Sequence, residues 1–194
     1  MPRLNLTVRF RALLGTLSLA TFLGLSAAAL AQAPAADPAN TLVLETKNGP
    51  VTIRLRPDLA PKHVEQIKAL TKRGFYNGIV FHRVIDGFMA QTGDPTGTGT
   101  GRSDLPNIPA EFSRESFKVG SLGMARSQSP DSANSQFFIC FEGCAPLNGQ
   151  YTLFGEVVSG MDAVRKIKKG DSAANGQVSN PDKIIRMRLS SDAK

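Results

Sequence analysis

Residues 41–189 predict a mainly β domain of antiparallel hairpins, closed into a barrel or folded as a sandwich. Strand-like apolar runs recur along most of this stretch, Asn48-Gly49 between the first two is a short-loop hairpin signal, and only two windows show helical spacing. Strands that follow one another without an alternating helix argue against a parallel doubly wound sheet. Of the two remaining architectures, a barrel better disposes of exposed strand edges.

The first pair of strands is Thr41 to Lys47 and Val51 to Arg56, the second alternating Val51, Ile53 and Leu55 against polar neighbours. Pro61 suits the first turn of a helix, Val64, Ile67 and Leu70 follow at helical spacing, and Gly74 offers the stop. Further strand-like runs are Ile79 to Ile85, Phe88 to Thr92, Gly120 to Ala125, Gln136 to Phe141, Thr152 to Val158 and Lys183 to Leu189. Ser159 with Asp162 predicts a capping box for a second helix through Lys168.

The N-terminus has a different character. Arg3, Arg9 and Arg11 precede an uncharged apolar stretch from Ala12 to Leu25, and small residues follow, ending Ala29-Leu30-Ala31. That layout predicts a cleavable signal peptide over 1–31, a flexible lead-in over 32–40 rich in Ala and Pro, and a folded domain over 41–194; the alternative, an uncleaved membrane anchor over Ala12 to Ala31, is disfavoured by its Ser, Thr and Gly content. Export through the general pathway to a bacterial periplasm is the expectation, with no stable membrane association after cleavage. Removing 1–31 takes three arginines and no acid, leaving 20 basic against 16 acidic residues, a net charge of +4 in place of +7. So slight an excess, much of it in Arg165, Lys166, Lys168 and Lys169 at a predicted helix end, reads as solvated surface rather than a nucleic-acid site. Cys140 and Cys144 are the two cysteines; an oxidising compartment permits a bond between them, but spacing leaves the pairing open. Without a clustered His or further Cys, no metal is expected.

Two strands carry mixed faces. Alternation in Phe81-His82-Arg83-Val84-Ile85 puts Arg83 on an apolar face with Phe81 and Ile85, and His82 opposite with Val84. In Gln136 to Phe141, one face is wholly apolar (Phe137, Ile139, Phe141), while the other mixes Gln136 with Phe138. Apolar side chains around a few polar groups are what a ligand groove requires. His63 is expected on a surface helix and His82 as a hydrogen-bonded structural histidine. No Gly-x-Ser-x-Gly or His-Glu-x-x-His motif supports hydrolysis.

Phe81-His82-Arg83-Val84-Ile85-Asp86-Gly87-Phe88-Met89-Ala90-Gln91-Thr92-Gly93-Asp94 resembles the signature segment of the cyclophilins. Asn134-Ser135-Gln136-Phe137-Phe138-Ile139-Cys140 resembles the family's next motif, with Leu147-Asn148-Gly149 and Phe154-Gly155-Glu156-Val157 following in order. The resemblance implies a closed eight-stranded antiparallel barrel capped by two α-helices, and a peptidyl-prolyl cis/trans isomerase working without cofactor. It implies a groove in which Arg83 is catalytic and Phe88, Met89, Gln91, Ala125, Gln136, Phe138, Leu147 and Tyr151 bind substrate. Proline-containing unfolded or flexible polypeptides are the implied partners, and a monomer the implied state. Three positions depart from the best-known members: Pro146 where many carry Trp, Tyr151 where many carry His, as in the family's bacterial branch, and Arg126 where Asn is common. A non-catalytic module that retains unfolded chains in the same groove is the alternative from another class.

Overall fold

The computed structural model describes residues 37–192. Its strands are β1 (Thr41–Thr46), β2 (Gly49–Leu55), β3 (Arg83–Ile85), β4 (Met89–Thr92), β5 (Ser121–Met124), β6 (Phe137–Cys140), β7 (Leu153–Ser159) and β8 (Arg186–Leu189), with helices α1 (Pro61–Lys72) and α2 (Met161–Arg165). The hairpin turn falls on Lys47-Asn48, one residue before the expected Asn48-Gly49, since Gly49 already pairs with Thr46, and β1 meets β2 in the register Leu42↔Ile53 and Leu44↔Val51. Pro61 opens α1, and Gly74, at φ +69, lies just past its end.

All pairings are antiparallel, and the sheet runs in the order β3-β4-β6-β5-β7-β2-β1-β8. The closed barrel is therefore not what forms: the sheet curls into an open half-barrel whose ends, β3 and β8, do not pair with each other. The chain between them explains the gap. Gly176 and Asn180 take positive φ and Pro181 lacks a donor, so 176–184 cannot run as a strand. It meets 79–84 through separate bonds, among them Val178 N–H to the His82 carbonyl and Phe81 N–H to the Asp182 carbonyl. The predicted strand from Ile79 shortens to three residues for the same reason, and Phe81 turns into the core rather than sharing a face with Arg83.

The second helix also differs from expectation. It ends at Arg165 rather than Lys168, and its N-cap is Gly160 at φ +90 with no side-chain cap, because Ser159 is still the last residue of β7. A capping side chain must stand at the N-cap itself.

The main core gathers Leu42, Leu44, Ile53, Phe137, Ile139 and Phe154 from the sheet with Val64, Ile67 and Leu70 from α1 and Val164 from α2. On the other side of β4 and β6 a second apolar cluster forms around Met89, Phe138, Cys140, Cys144 and Leu153. Alternation along β6 makes this two-sidedness possible, with Phe137 and Ile139 to one side and Phe138 and Cys140 to the other. Cys140 and Cys144 are joined in a disulfide. The predicted signal peptide, 1–31, lies outside the described residues. Among those described, no helix is long and apolar enough to cross a membrane.

Candidate functional site

The second cluster opens into a concavity of about 200 Å³ lined by Arg83, Phe88, Met89, Gln91, Ala125, Arg126, Phe138, Leu147 and Tyr151. The β3–β4 hairpin supplies its first wall. Arg83 stands opposite Gln91 and Ile85 opposite Met89 in the ladder, and Gly87 at φ +68 bends the connection so that Phe88 reaches the same side as its neighbour Met89. Strand alternation alone separates adjacent residues; the turn brings these two together. The floor comes from β6, where Phe138 faces Gln91 in register and its ring meets Tyr151 edge-on at 5.8 Å and stacks on Phe117 at 5.8 Å.

Phe138 has room only because residue 123 is glycine. A Cβ there would fall 2.2 Å from the Phe138 ring and 2.7 Å from Phe117.

Arg83 is fixed from two directions. Its Nε donates to the Asn175 carbonyl (3.0 Å) and one terminal nitrogen to Asn175 Oδ1 (2.9 Å), while the other donates to Gln91 Oε1 (3.3 Å). Gln91 then donates to Gln136 Oε1 (2.9 Å), and Gln136 to the carbonyls of Gly99 (3.0 Å) and Gly101 (2.8 Å). The five donors of a guanidinium leave Arg83 with N–H groups free for a bound peptide. Burial draws its pKa below the usual arginine value, but a guanidinium starts so far above neutrality that it stays cationic near pH 7.

The loop that receives Gln136 is itself braced. Burial works against the Asp94 carboxylate, but bonds from the Thr96 hydroxyl and the Thr96, Gly101 and Gly99 N–H groups outweigh it and hold the pKa at about 2. Asp94 is the fixed anion around which 94–101 turns.

Of the predicted site residues, Gln136 alone is absent from this pocket; it lines the adjoining larger concavity and acts on Arg83 through Gln91. Ala125 has its N–H bonded to the Gln136 carbonyl, which leaves its own carbonyl to offer a peptide. Pro146 is exposed, outside the lining, beside Leu147.

The sequence did not point to Asn175, Phe117 or Gly123. Asn175-Gly176 is legible as a turn, yet nothing local says that it closes on an arginine 92 residues earlier. Both histidines differ from expectation. His63 is fully buried, its Nδ1–H donating to the Glu111 carboxylate at 2.6 Å. His82 is buried with neither ring nitrogen bonded to a protein atom. Burial pushes the pKa of each below the usual value, so both are neutral near pH 7. Among the described residues no three His, Cys, Asp or Glu side chains gather as metal ligands.

Comparison with solved structures identifies the architecture. A cyclophilin from Hirschia baltica superposes with a TM-score of 0.72 at 27% identity, covering 81% of this chain and 76% of that one. A Cryptosporidium parvum cyclophilin type peptidyl-prolyl cis-trans isomerase, crystallised in the presence of the dipeptide Ala-Pro, gives 0.70 at 28%, covering 77% and 98%. The half-barrel is thus a cyclophilin-like fold. A sequence model of the cyclophilin type peptidyl-prolyl cis-trans isomerases matches residues 41–189. A Brucella suis protein named as a probable peptidyl-prolyl cis-trans isomerase is 58% identical over 189 residues, 92% of this chain and 96% of its own length. An Aspergillus oryzae peptidyl-prolyl cis-trans isomerase-like 1 is 39% identical over 157 residues, covering 78% and 96%. The chain belongs to the cyclophilin-type peptidyl-prolyl cis-trans isomerases, a family of isomerase enzymes.

Proposed function

We propose that the pocket holds the proline ring of a peptide while Arg83 accelerates rotation about the bond before it. The observation that carries this is the bonded series Asn175–Arg83–Gln91–Gln136 ending at the edge of an apolar pocket. Conjugation of nitrogen with carbonyl sets the barrier at about 18–20 kcal/mol. As the amide twists, its nitrogen regains a lone pair, and a donor aimed there stabilises the twisted state more than either planar one. A guanidinium already fixed on two sides has little reorganisation to undergo as the charge distribution changes. An acceleration of ~10⁵ corresponds to about 7 kcal/mol. No bond to the protein forms at any step.

Phe88, Met89, Phe138 and Leu147 take the ring, Tyr151 closes the pocket beside Phe138, and the Ala125 carbonyl receives a peptide N–H. A protease-coupled assay on a cis-enriched X-Pro peptide tests the reading. Catalysed relaxation supports it; binding of unfolded chains without catalysis would replace it with the retaining module.

The clients in this proposal are exported polypeptides that fold in the periplasm, where the enzyme acts as a soluble monomer. The signal-like 1–31 and the Cys140–Cys144 disulfide, a bond that persists in oxidising compartments, both favour that location. Intact-mass analysis of a periplasmic extract is expected to show a mature chain beginning at Gln32; a membrane-bound product retaining 1–31 would overturn it.

A further inference from the structure

Beside the proline pocket lies a second concavity of about 490 Å³, and Gln91, Ala125 and Arg126 line both. Its wall is polar, includes Arg102, Asn134 and Gln136, and contains no Asp or Glu. The carboxylates nearest in sequence are engaged elsewhere. Asp94 is held by its own loop, Asp104 pairs with Arg73 at 2.8 Å, and Asp131 accepts the Ala110 N–H. Arginines elsewhere in the fold, such as Arg54, Arg56 and Arg165, have carboxylate partners. Of the two arginines lining the second concavity, Arg102 and Arg126, neither has a carboxylate partner among the described residues.

These two cations differ in a useful way. Arg126 lies over the Tyr151 ring at 4.5 Å and donates to the carbonyls of Gln150, Ser127 and Gln128, so its charge is fixed at the boundary of the two concavities and compensated only by dipoles. Arg102 is exposed at the rim and has no hydrogen-bond partner among the described residues, leaving its planar fork free to meet a carboxylate in two-point fashion.

We infer that this second concavity selects substrates with an aspartate or glutamate shortly before the proline, Arg102 binding the carboxylate and Arg126 supplying a fixed positive field. The inference rests on the proline pocket being where the proposed function puts it. Arg83 and Gln91 then mark the amide-nitrogen end of the ring, and the chain entering from that side passes over Gln91 into the second concavity.

The test uses the mature enzyme and X-Pro peptides carrying Glu, Gln or Lys at each of the three positions before proline. At one position kcat/KM is expected to favour Glu over Lys by about tenfold, and the ratio should fall as ionic strength rises. Arg102→Glu should bring that ratio to one or below, and Arg126→Gln should reduce it. The ratio is internal to each variant, so a general loss of activity does not mimic the effect. A wild-type ratio within twofold at all three positions overturns the inference, as does a ratio that Arg102→Glu leaves unchanged. Failure of the isomerase reading is distinguishable, because it abolishes catalysis on every peptide, Gln included. Calorimetric affinities for the same peptides then decide: preference for Glu supports the charged pocket, and equal or undetectable binding overturns it.

Discussion

One half of the groove is carried on strands and the other on connections. Arg83, Met89, Gln91 and Phe138 stand on β3, β4 and β6, where ladder bonds fix Arg83 opposite Gln91 and Gln91 opposite Phe138. Ala125, Leu147, Tyr151 and Asn175 ride on segments outside the ladders, each held by a few particular locks. The disulfide joins the end of β6 to the turn bearing Leu147, Arg126 binds the Gln150 carbonyl beside Tyr151, and Asn175 takes αL backbone at φ 54. On the proposed mechanism, alignment of Arg83 falls to the strand half together with Asn175, and fit to different ligands to the remaining loop residues. Losses on the strand side or at Asn175 should appear in kcat/KM as a whole, and losses at Leu147 or Tyr151 mainly in KM.

After Arg83 itself, the largest loss is expected for Gly123→Ala. The new methyl collides with Phe138 and Phe117, so the pocket floor must shift, costing about 1–3 kcal/mol of stability and roughly tenfold in kcat/KM. A melt combined with kinetics checks both; an unaffected variant would show that the strand half is softer than its register suggests. Gln91→Ala cuts the series between Arg83 and Gln136, and about a fivefold fall in kcat/KM is expected with little change in melting. Replacing both cysteines by serine releases the Leu147 turn, and KM should rise about threefold at nearly constant kcat. A fall in kcat instead would place the disulfide with the aligning half.

The smallest effect on rate, none within error, is expected for Glu111→Gln, which acts on stability. The Glu111 carboxylate caps α1 by accepting the Lys62 and His63 N–H groups and pairs with His63. Burial raises its pKa, but the His63 side chain and those two N–H groups outweigh this and hold it below the usual value. A depressed carboxylate pKa adds stability that is present at neutral pH and lost as pH falls through the folded-state value. Neutral His63, also depressed, works in the same direction below its usual titration range. Glu111→Gln should cost about 1–2 kcal/mol near pH 7, with the gap to the parent closing on acidification. A gap that does not vary with pH would remove the carboxylate's charge from the account.

How much of this the sequence could tell follows the same division. Strand alternation placed Gln136 and Phe138 on the side opposite Phe137 and Ile139, and the resemblance of 81–94 pointed to the hairpin residues Arg83 to Gln91. Closure of the barrel was not legible, because it depends on whether 176–184 can run as a strand, and Gly176, Asn180 and Pro181 prevent that through backbone conformation. Nor was the burial of His63, whose partner arrives from a loop 48 residues away. Arg126 was visible only as a departure from the family pattern; its place between two concavities requires the fold. Contacts within a strand or hairpin leave a local pattern, and contacts between distant loops do not.

The central claim is that a fixed arginine, rather than the apolar pocket alone, lowers the rotational barrier. It is tested most directly by measuring kcat/KM for an X-Pro peptide with Arg83→Ala and Arg83→Lys beside the parent, with thermal melts of all three. Alanine should lower kcat/KM at least tenfold with little change in melting, and lysine should recover little, because it keeps the charge without the fork that Asn175 and Gln91 hold. A folded Arg83→Ala protein with undiminished isomerase activity would contradict the account.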